Sequence, residues 1–244
     1  MPRPIIIIPA RLASTRLPNK PLAEIRGKPM ILRVWEQAMA ADIGEVIVAC
    51  CGPEIADVIT QAGGKAILTN PNHPNGTDRI HEVVQSRSDI SKDAIIINLQ
   101  GDLPTISKES LRAVLEPLQN SKVDIGTLAV PISDPIQIEN PNVVKVALTF
   151  VKPSIGRALY FSRSPIPYGA TEYFHHIGIY AYRVSSLERY VSLKPSFLEQ
   201  TEKLEQLRAI EDGMRIDVGI VGEIPHSVDT KEDLEVVTRF LGAV

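Results

Sequence analysis

Three short stretches of the chain, residues 5–8, 46–49 and 95–99, are apolar and mostly β-branched, with Asn98 the one polar residue among them. A strand with one wet face alternates; a strand that is apolar throughout must be covered on both faces. Between the first two runs, Ile31, Val34, Trp35, Ala38 and Met39 recur on one side of a helix opened by Pro29. Leu111, Val114, Leu115 and Leu118 suggest a second helix. Strand alternating with helix predicts an α/β fold: a Rossmann-like, mostly parallel sheet with helices on both faces. Ligands of such folds sit at the carboxyl ends of the strands. The residues that follow each buried run are therefore the ones to read for chemistry.

From Pro131 the pattern changes. Residues 143–150 and 175–182 alternate, and Pro131, Pro135, Pro141, Pro153, Pro165 and Pro167 punctuate the interval. Residues 131–197 read as a smaller lobe inserted in an α/β core of 1–130 and 198–244. After it come a helix (Leu204, Leu207, Ile210, ended by Gly213), a strand over 216–221 and a last helix from Thr230. A chain of 244 residues accommodates such a core and lobe. Its 26 Lys and Arg against 29 Asp and Glu leave a formal charge of −3, which argues against a nucleic-acid surface. No apolar run approaches the roughly 20 residues of a membrane span, and the first run is too short for a signal peptide. Cys50 and Cys51 are adjacent, cannot make a disulfide framework, and read as core. The expectation is a cytoplasmic protein.

After the first strand come Arg11, Ser14, Thr15, Arg16 and Lys20, with no glycine before Gly27. Dinucleotide fingerprints and P-loops need glycines at this place. The segment therefore suits capture of phosphates by side chains, with a solvated basic loop as the alternative. The missing glycines also disfavour a nicotinamide-linked oxidoreductase. Asp102, just past the third strand, stands where a magnesium ion bridging nucleotide phosphates would sit, or is an ordinary turn aspartate. Asp229 is the candidate second carboxylate, although Asp229 or Thr230 would equally cap the last helix with Glu232 or Asp233 closing a capping box. Gly76, Thr77, Asp78 and Arg79 open a helical pattern that offers a helix N-terminus and an arginine to an anion, or else Thr77 and Asp78 simply cap it. In the lobe, His176, Gly178, Tyr180 and Tyr182 share one face of a strand, with room at the glycine; packing explains such a face equally well. His175 and His176 point oppositely, which excludes a paired metal site.

Taken in order, several segments resemble the 3-deoxy-D-manno-octulosonate (Kdo) cytidylyltransferases. They are Pro9 to Leu22, Gly76 to Arg79, Asn98 to Asp102, Asn140 to Val146, Ala158 to Arg163, His176 to Tyr180, Leu204 to Arg208 and Val228 to Thr230. The first is shared more loosely with sialic acid cytidylyltransferases; the Tyr-Phe-Ser-Arg and Glu-Gln-Leu-Arg segments are more particular to the Kdo enzymes. The resemblance implies that CTP and Kdo give CMP-Kdo and pyrophosphate, for lipopolysaccharide biosynthesis. It implies Arg11, Ser14, Arg16, Lys20, Thr77, Arg79 and Gly101 around the nucleotide, and Asp102 and Asp229 as magnesium ligands. Asp102, Asp229, Lys20 and Arg16 would carry catalysis. Gln100, Arg163, His176, Tyr180, Glu205 and Gln206 would hold the sugar. It also implies a homodimer formed through the smaller lobe. Leu103 stands where the family more often has Glu, Cys50-Cys51 where it has Thr-Asp, and His175 where it has a basic residue. The segment between Pro167 and His175 is shorter than in many relatives. Related readings are a cytidylyltransferase for 8-amino-Kdo or a sialic acid, and a non-catalytic CTP-binding protein.

Overall fold

Isoleucines need cover on both faces, and the first strand, β1 (Ile5–Ala10), obtains it: Ile6, Ile7 and Ile8 are wholly buried in a computed structural model that describes residues 3–14 and 16–242. The chain divides into two units, Met1–Leu111 with Pro225–Val244, and Arg112–Ile224. In the first, β1 is followed by a small hairpin of β2 (Glu24–Ile25) and β3 (Lys28–Pro29), then α1 (Met30–Ala40) and β4 (Glu45–Cys50). Next come α2 (Pro53–Gln61), β5 (Lys65–Leu68), α3 (Gly76–Ser86), β6 (Ile95–Asn98) and α4 (Lys108–Ala113). Apart from the antiparallel hairpin of β2 and β3, the strands of this unit run β5-β4-β1-β6 with every pairing parallel, as the continuous apolar runs predict. Helix α1 buries Met30, Ile31, Val34 and Ala38, while Met39 turns to solvent.

A continuous helix over Leu111 to Leu118 does not form. Helix α4 ends at Ala113, and a 3-10 turn, Glu116–Gln119, follows with Pro117 inside it. Proline has no N–H to donate and disfavours helical geometry in the residue before it, so the turn tightens there. Leu111, Val114 and Leu118 still reach the core.

The second unit holds β7 (Ile125–Ile132), α5 (Pro135–Glu139), β8 (Lys145–Lys152), β9 (Ile155–Ser162) and β10 (Tyr173–Arg183). Helices α6 (Val184–Ser192), α7 (Phe197–Glu202) and α8 (Leu207–Glu211) and strand β11 (Ile216–Ile220) complete it. Its order is β10-β7-β11-β9-β8, and β8 meets β10 again at Lys145 and His175, so the pairings form a closed ring. All are antiparallel except β7 with β11. The expected lobe of 131–197 lies inside this unit, which extends beyond it on both sides. The reason is β7 and β11: they pair with strands of the lobe and so fold with it. The chain then returns to the first unit for α9 (Lys231–Phe240). No helix among the described residues is long and apolar enough to cross a membrane.

Candidate active site

In the first unit the candidate site residues are positioned by a small apolar cluster. Leu17, Ile25, Met30, Val228 and Val237 are buried against one another, with Ala23, Leu234 and Leu241 packed around them. Each fully buried aliphatic side chain of this kind contributes roughly 1.5–3 kcal/mol. Leu17 lies in the basic loop after β1 and Val228 immediately precedes Asp229, so burying the pair draws Arg16 and Lys20 to Asp229. The Val228 N–H donates to the Asp102 carbonyl at 3.0 Å, which fixes the other carboxylate alongside.

The outcome is one ammonium shared by two acids. Lys20 Nζ donates to Asp102 Oδ2 at 2.7 Å and to Asp229 Oδ1 at 2.9 Å, and Arg16 Nη2 approaches the same Asp229 oxygen at 3.2 Å. Burial opposes the Lys20 charge, but Asp102, and behind it Asp229, outweigh burial and raise its pKa above the ordinary lysine value. Two convergent carboxylates that already share a cation are a donor set suited to magnesium, which takes one or two protein carboxylates and completes its shell with phosphate and water.

Asp229 does not cap the last helix. Thr230 is the N-cap: its hydroxyl accepts from the Asp233 N–H, and the Asp233 carboxylate accepts from the N–H groups of Thr230 and Asp229. The capping box therefore leaves the Asp229 carboxylate to Lys20 and Arg16. Thr77 and Asp78 do not cap α3 either; Asn75 does, its side-chain oxygen accepting from the Asp78 N–H at 2.8 Å.

Arg11 and Arg16 are exposed, and the Ser14 hydroxyl accepts from the Leu17 N–H at 3.4 Å. Thr15 lies outside the described residues. A Cβ on Gly101 would stand 2.9 Å from the Pro9 carbonyl oxygen and one on Gly76 would stand 3.0 Å from Pro9 Cγ, so both glycines permit a close approach to the end of β1. Thr77 is buried and accepts from the Asn98 amide, whose oxygen in turn accepts from Gln100 at 3.1 Å. Arg79 is only 2% exposed. Its Nη1 donates to Thr69 Oγ1 at 2.5 Å and to the Asn70 carbonyl at 3.1 Å, while its Nη2 is buried without a partner. Cys50 is core and burial pushes its thiol up to about 11, whereas Cys51 is half-buried rather than core.

In the second unit, β10 carries two extra residues against β7 between Ile177 and Tyr180. An insertion of two preserves the alternation, so His176, Tyr180 and Tyr182 stay on one face. Their rings follow one another at 5.5 and 6.0 Å, with Phe161 at 4.9 Å from His176 and Tyr190 at 6.0 Å from Tyr182. The single proton of the Thr127 hydroxyl goes to the nearer of two freed carbonyls, that of Ile179 at 2.7 Å. The hydroxyl oxygen then accepts from His176 Nε2 at 2.9 Å, which fixes the Nε2–H tautomer. Burial, with His175 adding to it, pulls the His176 pKa down to about 3, so the ring is neutral. A Cβ on Gly178 would meet nothing within 4 Å, so the room expected there exists. Tyr180 is held well above the ordinary phenol value, chiefly by burial.

Arg163 is fixed from several sides. Its Nε donates to the Glu202 carbonyl at 2.8 Å and its Nη1 to the Pro141 carbonyl at 2.9 Å. Its own N–H and the Ser162 hydroxyl both donate to the Glu202 carboxylate. Lys145, completely buried, donates to the Arg163 carbonyl at 2.5 Å and the Asn140 carbonyl at 3.0 Å. Sequence reasoning gave no role to Glu202 or Lys145. Lys145 lies within the Asn140 to Val146 segment, but nothing local marks Glu202 as the acid that holds Ser162 and Arg163. Gln206 is buried at the start of α8, and the exposed Glu205 accepts from the Tyr190 hydroxyl through its carbonyl.

Parallel strands that end in paired acids and cations define a nucleotide-handling α/β protein of the nucleotidyltransferase class, and a model of the cytidylyltransferase family matches residues 5–216. The chain is 53% identical over 241 residues to the 3-deoxy-manno-octulosonate cytidylyltransferase of Rhodopseudomonas palustris strain BisB5, covering 99% of this chain and 98% of that one. It is 49% identical to the same-named protein of Paramagnetospirillum magneticum strain AMB-1, with 98% of each covered. A solved CMP:2-keto-3-deoxy-manno-octonic acid synthetase complexed with CTP superposes with a TM-score of 0.91 at 40% identity, covering 99% of both chains. A cytidylyltransferase from Leptospira borgpetersenii, 16% identical with a TM-score of 0.61, shares the fold. The chain belongs to the 3-deoxy-manno-octulosonate cytidylyltransferase family.

Proposed function

We propose that this protein transfers the cytidylyl group of CTP to Kdo, releasing pyrophosphate, in the cytoplasm and as a magnesium-dependent homodimer. The observation that carries the reading is the Asp102–Lys20–Asp229 cluster at the strand ends of a chain from this family. Arg11, Arg16 and Lys20 bind the triphosphate, with Ser14, Thr77, Arg79 and Gly101 shaping the nucleotide end. Asp102 and Asp229 hold the metal. The chemistry the metal supplies is polarisation of the α-phosphate and a lower pKa for the attacking hydroxyl. The anomeric hydroxyl of the sugar loses its proton to solvent as its oxygen bonds to the α-phosphorus, the bond from that phosphorus to the oxygen bridging to the β-phosphorus breaks, and pyrophosphate leaves in line with that oxygen. Positioning and charge neutralisation carry such a step without a covalent intermediate.

The sugar acid has one carboxylate and several hydroxyls, and Gln100, Arg163, His176, Tyr180, Glu205 and Gln206 supply one guanidinium and several neutral or acidic partners. The neutral His176 fits a hydroxyl better than a carboxylate. Exposed Phe150, Val151 and Leu159 on β8 and β9 support pairing of two copies through the second unit.

The deciding experiment is pyrophosphate release from CTP and magnesium, with Kdo, 8-amino-Kdo and a sialic acid in parallel. Release with Kdo is expected. Release only with another acid would overturn the substrate, and silence with all three from folded protein would favour a CTP-binding protein. Arg163→Ala is expected to raise the sugar KM about tenfold, since a charged hydrogen bond is worth roughly 1.5–3 kcal/mol, and to leave the CTP KM unchanged. An unchanged sugar KM in steady-state kinetics would remove Arg163 from the carboxylate.

A further inference from the structure

We propose that Lys20 keeps the Asp102–Asp229 pair closed to divalent cations until a polyphosphate draws its ammonium away, so that metal and nucleotide enter the site together. The inference rests on the reading of these two aspartates as metal ligands. It starts from a shared atom: the lysine nitrogen bonds Asp102 Oδ2 and Asp229 Oδ1, oxygens that a bridging cation would need. An ammonium at 2.7 and 2.9 Å and a divalent ion cannot occupy the space between the same two oxygens. The charges point the same way. Asp102 and Asp229 are balanced by Lys20 and by Arg16, which pairs with Asp229 at 3.2 Å. A divalent cation arriving alone meets a neutral quartet that includes a competing ammonium, and it must also shed water, which magnesium does reluctantly.

A triphosphate reverses that balance. It brings several negative charges that Lys20 and Arg16 can pair with instead, and their departure restores both carboxylates to a cation. Lys20 is suited to such a transfer. Its ammonium is a compact point charge on four rotatable carbons, able to swing between acceptors, where a planar guanidinium would be bound to one geometry. The cluster sits at the mouth of the strands, with the Asp229 side chain 40% exposed, so an anion can reach it from solvent. The capping box of α9 holds the Asp229 backbone in place through Asp233, so the carboxylate is kept at the site when the ammonium moves.

The test is Mn2+ binding followed by water-proton relaxation, which distinguishes protein-bound Mn2+ from Mn2+ on free nucleotide, using the full chain with and without CTP and no sugar. Lys20→Met and Lys20→Gln are both examined, with circular dichroism as the check on folding. Without CTP, wild type is expected to bind Mn2+ at least about tenfold more weakly than either variant, the scale of removing one adjacent cation. Adding CTP is expected to close that gap by strengthening the wild type. In Lys20→Met/Asp102→Asn the gained affinity is expected to vanish. Wild type binding Mn2+ without nucleotide as tightly as the Lys20 variants would overturn the proposal and leave the metal ligands standing. Affinity that persists in the double variant would overturn it by placing the ion elsewhere. Failure of every form to bind Mn2+, with or without CTP, would overturn it together with the metal assignment.

Discussion

Asp102→Asn is expected to fold normally and to lose at least about 100-fold in turnover. Asparagine reproduces the shape of aspartate, and the tie that matters to the fold uses the backbone: the Asp102 carbonyl accepts from the Val228 N–H at 3.0 Å, whatever the side chain carries. What changes is charge. A neutral amide holds a divalent cation poorly, and the Lys20 ammonium loses the carboxylate that it contacts at 2.7 Å. Stabilisation of charge that develops in the transition state is usually a leading catalytic contribution, and removing one fixed partner typically costs about 100- to 1000-fold. The measurement is pyrophosphate release at saturating CTP and sugar, with circular dichroism and thermal melts to establish the fold. Turnover like wild type from folded Asp102→Asn would remove Asp102 from the chemistry and with it the metal pair.

The legible parts of this protein were those whose physics is local. The runs at 5–8, 46–49 and 95–99, apolar but for Asn98, read as strands covered on both faces, and they form three of the four parallel strands of the first unit. Strand β5 is four residues long, half of them exposed, and its sequence gives no clear period. Strand β9 pairs with β8 through two register shifts, which blur the alternation on which a strand reading depends. In the site, the cations after β1 could be read from their place, but their partners could not. Lys20 meets carboxylates 82 and 209 residues away, a juxtaposition imposed by burying Leu17 with Val228. Locally, Val228 to Asp233 reads as a helix start, and it is one; only the three-dimensional assignment of the cap to Thr230 and Asp233 frees Asp229. The departure at Leu103 has a plain structural counterpart, because that side chain is buried.

Glu199→Ala is expected to destabilise the second unit by about 3–5 kcal/mol, the scale of removing one partner of a buried ion pair. The pair is bidentate: Arg208 donates from Nε to Glu199 Oε2 at 2.8 Å and from Nη2 to Oε1 at 2.5 Å, with the residues 7% and 9% exposed. Glu199 also closes the capping box of α7, accepting from the Ser196 N–H at 3.0 Å. The Arg208 guanidinium lies 5.1 Å from the centre of the Tyr190 ring, at the end of the aromatic series that begins at His176. Alanine would remove the acid, leave a guanidinium unpaired in the interior and open the helix cap, three losses that act together. For a protein of this size each kcal/mol moves the melting temperature by roughly 2–4 °C, so calorimetry should read a fall of about 10 °C. Glu199→Leu with Arg208→Met is expected to recover much of that fall, because an apolar pair of similar volume needs no charge compensation. Helix α8 has Gln206 as its N-cap, a residue that we propose contacts the sugar, so the damaged single variant is also expected to show a raised sugar KM with an unchanged CTP KM. A Glu199→Ala protein that melts with wild type would show that the guanidinium finds another acceptor, and that α7 and α8 are held by their apolar contacts alone.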